Sequence, residues 1–174
     1  MVQLPSFAFE PGIRYGGANT TSAGVILASW VRTSDQPLLV VTSSLSESEH
    51  LFDAAELWLG DGVTLFPDLP LTPYDLTDLP VTIQASWVDA WNRIHSGRAK
   101  CGIMTPSIAA YPPLYPGCME LQTETVTNRD EVIQFLSSGG YRRVDLCETW
   151  GDMTIRGGLM DVFSPGSLFP VRIE

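Results

Sequence analysis

Apolar residues between positions 20 and 105 fall into two alternating patterns, one with helical period and one with the short runs of buried strands. The stretch TSAGVILASWV (21–31) is apolar on nearly all sides and predicts a helix enclosed by other elements. PLLVVT (37–42) is a short continuous apolar run, the pattern of a strand covered on both faces. SESEHLFDAAELWLG (46–60) opens with a Ser46-x-x-Glu49 capping box, sets Leu51, Ala54, Ala55, Trp58 and Leu59 on one helical face, and stops at Gly60. VTLFP (63–67) predicts a second strand. DLPVTIQASWVDAWNRIHSG (78–97) predicts a helix with Ile83, Trp87, Ala90, Trp91 and Ile94 on its inner face, and AKCGIMT (99–105) a third, buried strand. Strands separated by helices imply a parallel sheet with right-handed crossovers.

The pattern changes at YPPLYPG (111–117), where three prolines and a glycine in seven residues exclude both a helix and a central strand. Beyond it, NRDEVIQFLSSGG (128–140) predicts one helix, with Asn128 as N-cap, Glu131 at the third position and Gly139-Gly140 past the end. The remaining residues alternate with period two, Val144, Leu146, Met153 and Ile155 on one side and Asp145, Thr154 and Arg156 on the other. That alternation predicts a half-buried antiparallel sheet. The expected organisation is an α/β domain over 1–111 followed by a small α+β domain over 112–174.

Composition narrows the function. The 174 residues are 44% hydrophobic and 10% aromatic, enough for a real core, and their formal charge of -10 argues against broad contact with nucleic acid. Basic residues divide five and five about Tyr111, so neither half is a basic module. No apolar run approaches the ~18 residues of a membrane span, and MVQLPSFAFEPG lacks the basic and apolar regions of a secretory signal, which makes the cytoplasm the default expectation. Cys101, Cys118 and Cys147 are widely spaced with no CxxC, so free thiols are expected rather than a zinc site.

The glycine-rich stretch RYGGANTTSAGVILASW (14–30) asks whether the chain binds nucleotide. Aligned on the P-loop pattern from Gly17, the second glycine becomes Ser22, the lysine Ala23 and the metal-binding hydroxyl Gly24. Ala23 cannot reach a phosphate, and Gly24 offers no oxygen to Mg²⁺. The nearest Walker B candidate, Asp161 in GGLMDVF, lacks a following acid. No cofactor, metal or catalytic residue is therefore expected. His50 and His95 stand alone on helical faces, and Asp68, Asp75 and Asp78 lie among prolines that favour turn and cap roles. GGYRRVDLCETWGDMTIRGGLMDVFSPGS is more informative, because it carries Arg142, Arg143 and Arg156 beside Tyr141 and Phe163, a composition typical of protein-binding hot spots. Spacing alone favours a plainer reading, in which these arginines pair with Asp145, Glu148, Asp152 or Asp161 across strands.

LFPDLPLTPYDL (65–76), GYRRVD (140–145), WGDMTIRGGLMDVFSP (150–165) and PVRIE (170–174) together resemble the N-terminal region of bacterial transcription-repair coupling factors (Mfd), itself homologous to the excinuclease subunit UvrB. The resemblance runs from the glycine loop to Glu174 and is most specific over 139–163. It implies a RecA-like, P-loop NTPase-type parallel sheet domain with a degenerate P-loop, then a small α+β domain that binds UvrA. It also implies that ATP hydrolysis resides in motor domains elsewhere, and that RNA polymerase and DNA are met only through domains absent from this chain. UvrB clamps damaged DNA with a long aromatic hairpin, for which the direct run from 65 to 84 leaves no room.

Carried over residue by residue, the family's arginine after Gly-Tyr falls at Arg142 or Arg143, that of Arg-Gly at Arg156, and its strand-end aromatic at Phe163, a position equally suited to the core. The filled positions reverse the preference for ladder pairs. Family members continue past PVRIE, so a fragment or truncated homologue is expected, its small sheet short of an edge partner. The expected function is a non-catalytic adaptor that recruits UvrA to stalled transcription; the alternative is a nucleotide-dependent, UvrB-like or helicase-like ATPase fragment. A third reading, a domain whose partner surface is masked within a longer chain, shares the same fold.

Overall fold

The computed structural model describes residues 7, 10–68, 80–109 and 118–174. The chain divides into two compact units, residues 1–76 with 90–112 and residues 77–89 with 113–174. The expected junction at 111–112 lies outside the described residues.

In the first unit, α1 (Thr20–Thr33), β1 (Leu38–Val41), α2 (Leu45–Leu59), β2 (Val63–Leu65), the C-terminal part of α3 (Val81–His95), β3 (Cys101–Met104) and the short α4 (Pro106–Ala109) follow in order. The strands form a parallel sheet in the order β1-β3-β2, with Leu38 and Val63 both level with Cys101. The central strand β3 is buried along its whole length, which explains its unbroken apolar run. Leu51 and Ala55 of α2 pack with Val63, Cys101 and Ile103, joined by Ala23, Leu27 and Val31 of α1. On the other face the Phe66 ring meets Trp91 edge to face, with centroids 5.0 Å apart.

Two expectations are corrected here. The strand β1 is covered on one face only: Leu38 and Val40 join the core cluster, whereas Leu39 and Val41 are 45% and 52% exposed. Edge position alone does not expose it, since β2, the other edge strand, buries both Val63 and Thr64; the face of β1 that carries Leu39 and Val41 lacks such cover. The cap of α2 is Ser44, two residues before Ser46; its side chain accepts from the Glu47 amide at 3.3 Å, and the Glu47 carboxylate accepts from the Ser43 amide and hydroxyl. This frame brings Ser48 inward, where its hydroxyl shares a hydrogen bond with that of Thr42 at the end of β1.

The second unit contains α5 (Arg129–Ser138), β4 (Arg142–Arg143), β5 (Asp152–Arg156), β6 (Leu159–Val162) and β7 (Val171–Ile173). Asn128 caps α5, accepting from the Asp130 amide at 3.0 Å. The sheet order is β4-β5-β6-β7. Three strands are antiparallel as the alternation predicts, but β4 runs parallel to β5, so the sheet is mixed. Residues 144–151 form the crossover that returns the chain in the same direction, and Gly151 turns into β5 at φ +84°. Val132 and Leu136 of α5 pack on Met153, Met160 and Val162. The period-two reading fails at two places. Leu146 sits in the crossover and is 64% exposed, while Thr154 is buried on the side expected to be polar and open. The crossover supplies the cover, with the Cys147 thiol donating to the Asp161 carbonyl at 3.3 Å.

Candidate functional site

The glycine loop is organised around a helix cap. Gly17 turns at φ +74°, and Asn19 then caps α1. The Asn19 side chain accepts from the Ser22 amide and the Ser22 hydroxyl accepts from the Asn19 amide, each at 2.9 Å, so two amides of the kind that could hold an anion are used within the loop itself. Ala23 packs toward the α2 core cluster. A side chain at Gly24 would place its Cβ 2.7 Å from the Ala54 carbonyl oxygen. The two positions aligned with the P-loop lysine and hydroxyl therefore lie in the contact between α1 and α2.

The other titratable candidates are scattered. Asp68 accepts from the Thr105 and Ser107 hydroxyls at 2.9 and 3.0 Å, tying the end of β2 to the end of β3; Asp75 and Asp78 lie outside the described residues. His50 is exposed on α2, and His95 Nδ1 lies 3.0 Å from the Trp91 carbonyl oxygen. Burial pushes the Cys101 thiol up to about 12, which keeps it protonated and inert. Among the described residues no three His, Cys, Asp or Glu side chains are grouped to hold a metal, and no helix is long and apolar enough to cross a membrane.

The arginine stretch converges on the small sheet. Strand register separates its members: Arg142 is level with Asp152 and Arg143 with Met153, so the two neighbours take opposite faces. Arg142 shares the face away from α5 with Asp152, Thr154, Arg156 and Asp161, and with Arg172, which sequence reasoning had not singled out. Arg142 Nη2 donates to Asp152 Oδ1 at 2.9 Å and to Thr149 Oγ1 at 3.3 Å. Arg156 donates to the Asp145 carbonyl of the crossover. Arg172 grips Asp161 with two bonds of 2.7 and 3.0 Å, so the Walker B candidate is a cross-strand ion-pair partner. Exposed Arg143 has no side-chain hydrogen bond or ion pair among the described residues. Tyr141 packs against the α5 core, where burial pushes its hydroxyl up despite a hydrogen bond with Ser164. Phe163 is half-buried beyond β6, exchanging backbone hydrogen bonds with Gly151 and Asp152.

Both carboxyls on this face sit below their ordinary value of 3.8. For Asp152, burial acts upward but is outweighed by hydrogen bonds from Thr149, Glu148 and Arg142. For Asp161 the hydrogen bonds from Arg172 dominate. A depressed folded-state value means stability that is complete above the unfolded carboxylate range and lost as pH falls through the folded values. Urea midpoints should thus drop on acidification below about pH 4, and Asp152→Asn should flatten that slope. An unchanged slope in Asp152→Asn and Asp161→Asn would assign the acid loss to other carboxylates.

Residues 119–174, which contain this whole sheet and α5, match the family described as the UvrB interaction domain. Over 166 residues, 88% of the chain, the sequence is 33% identical to the transcription-repair-coupling factor of Mycobacterium tuberculosis, of which it covers 13%. It is 25% identical over 91% of the chain to the factor of Bacillus subtilis, and 27% identical over 87% to that of Haemophilus influenzae, covering 14% of each. The chain thus spans a small part of the length of these relatives, and over most of its own length it is similar to transcription-repair-coupling factors.

Proposed function

We propose that this chain is a non-catalytic, cytoplasmic protein-binding module that docks a UvrA-like protein and so links stalled transcription to nucleotide excision repair. One observation carries the reading: the part matching the UvrB interaction domain presents Arg142, Arg143 and Arg156 at its surface. Guanidinium groups held on a sheet suit a partner face with carboxylates or carbonyls, which they bind with several directed bonds. Arg142 and Arg156 lie on one face of the sheet and Arg143 on the other face of β4, its edge strand, so the docked partner would reach round that edge; Phe163 is half-buried just past β6. The first unit is then a degenerate RecA-like domain kept as scaffold, its loop closed by the Asn19–Ser22 cap and its former lysine and hydroxyl positions used for helix packing. RNA polymerase and DNA would be engaged by other parts of the longer relatives.

Titration of purified UvrA against the wild type and Arg143→Ala/Arg156→Ala tests this. The double variant is expected to bind about 10- to 100-fold more weakly, the loss of one or two hot-spot residues, with an unchanged far-ultraviolet spectrum. Equal affinities would overturn the proposal.

A further inference from the structure

A carboxylate beneath the arginine face is more than half of an ion pair. The Asp152 side chain is 5% exposed, yet it has four donors: Oδ2 accepts from the Glu148 amide at 3.2 Å, the Thr149 amide at 3.0 Å and the Thr149 hydroxyl at 3.1 Å, and Oδ1 accepts from Arg142. The Thr149 hydroxyl in turn accepts from Arg142, closing a triangle of three side chains. Arg142 itself is 53% exposed. Only its Nη2 group is engaged; Nε and Nη1 have no partner among the described residues. A long side chain that ordinarily samples many rotamers is thereby held at one end with its remaining donors outward.

We infer that Asp152, with Thr149, is a positioning residue that fixes Arg142 so that its Nε and Nη1 groups can bind an acceptor on the docked partner. This rests on the reading of the arginine face as the docking surface. Holding Arg142 in place before contact removes the entropy that docking would otherwise lose in ordering it. The carboxylate also shapes residues 148–152 through their amides, which makes a plain loss of affinity ambiguous. The distinguishing quantity is the coupling between Asp152 and Arg142.

The test is a double-mutant cycle, in which UvrA is titrated against the whole chain as wild type, Asp152→Asn, Arg142→Ala and the pair. Asp152→Asn should weaken binding about 3- to 10-fold when Arg142 is present, the effect of freeing one long side chain, and cause no further loss when Arg142 is alanine. Thr149→Val, which removes the hydroxyl and keeps the amide, should show a smaller effect with the same dependence on Arg142, and serves if Asp152→Asn folds poorly. An equal loss in both Arg142 backgrounds would make Asp152 a loop-shaping residue and overturn the inference. If Arg143→Ala/Arg156→Ala weakens binding and Arg142→Ala does not, this inference fails while the docking surface stands; no loss in any arginine variant removes both.

Discussion

Restoring the phosphate-binding residues, Ala23→Lys with Gly24→Ser, should destabilise the first unit and create no ATP site. The reason lies at Gly24, where any Cβ would approach the Ala54 carbonyl oxygen to 2.7 Å and its carbon to 2.8 Å. Those atoms are backbone in the middle of α2, so relief requires the two helices to separate. Glycine is otherwise a poor residue inside a helix, by about 1 kcal/mol relative to alanine. A helix that keeps it at a buried position is using the missing side chain. Gly24→Ala alone should therefore cost about 1–3 kcal/mol despite the better propensity, and lower the melting temperature by about 2–4 °C for each kcal/mol. Gly24→Ser adds a hydroxyl at the same place and should cost at least as much. Urea unfolding gives the first result, and calorimetric titration with ATP·Mg²⁺ the second. A Gly24→Ala variant as stable as the wild type would remove the close-approach argument, and micromolar ATP binding by the restored chain would revive the nucleotide-dependent alternative.

Gly24 also shows what a sequence can and cannot convey. Its mismatch to the P-loop pattern is visible in the letters, but as a lost hydroxyl; that the position has a packing role depends on where α2 crosses α1. The parallel sheet was legible because strand and helix periods survive any context, and AKCGIMT indeed becomes the buried β3. LLVV at 38–41 reads the same whether one face of the strand is covered or both, so the exposure of Leu39 and Val41 was not legible. Two overlapping Ser-x-x-Glu frames, from Ser44 and Ser46, both fit a helix start. The chosen frame is the one that lets Ser48 meet Thr42. In the arginine stretch the residue types were readable and their division was not. Counting by twos works only along one strand, and the crossover at 144–151 interrupts it between Arg142 and Asp152. Spacing does not convey that Tyr141 packs against the α5 core, or that Asp152 is the carboxylate level with Arg142.

The first unit offers a second large effect, on the other face of its sheet. Phe66 is 1% exposed and stacks edge to face on Trp91, so Phe66→Ala should cost about 3–5 kcal/mol through lost burial and the cavity left behind. Gly102 of β3 lies directly against that ring: a Cβ there would come 2.9 Å from Phe66 Cε2 and 2.9 Å from Leu39 Cδ2, with Ile94 Cδ1 at 3.5 Å. The two close contacts differ in how they can yield. Leu39 is 45% exposed and can swing its terminal methyl toward solvent, whereas the Phe66 ring is enclosed and cannot move without disturbing Trp91. Gly102→Ala alone should then cost about 1–3 kcal/mol, most of it through the ring. In the Phe66→Ala background the same substitution enters the vacated space, so its cost should vanish or change sign, a coupling of about 1 kcal/mol or more. Urea unfolding of the four proteins at neutral pH measures this directly. Strictly additive losses would show that Leu39 or Ile94, and not Phe66, sets the space at Gly102.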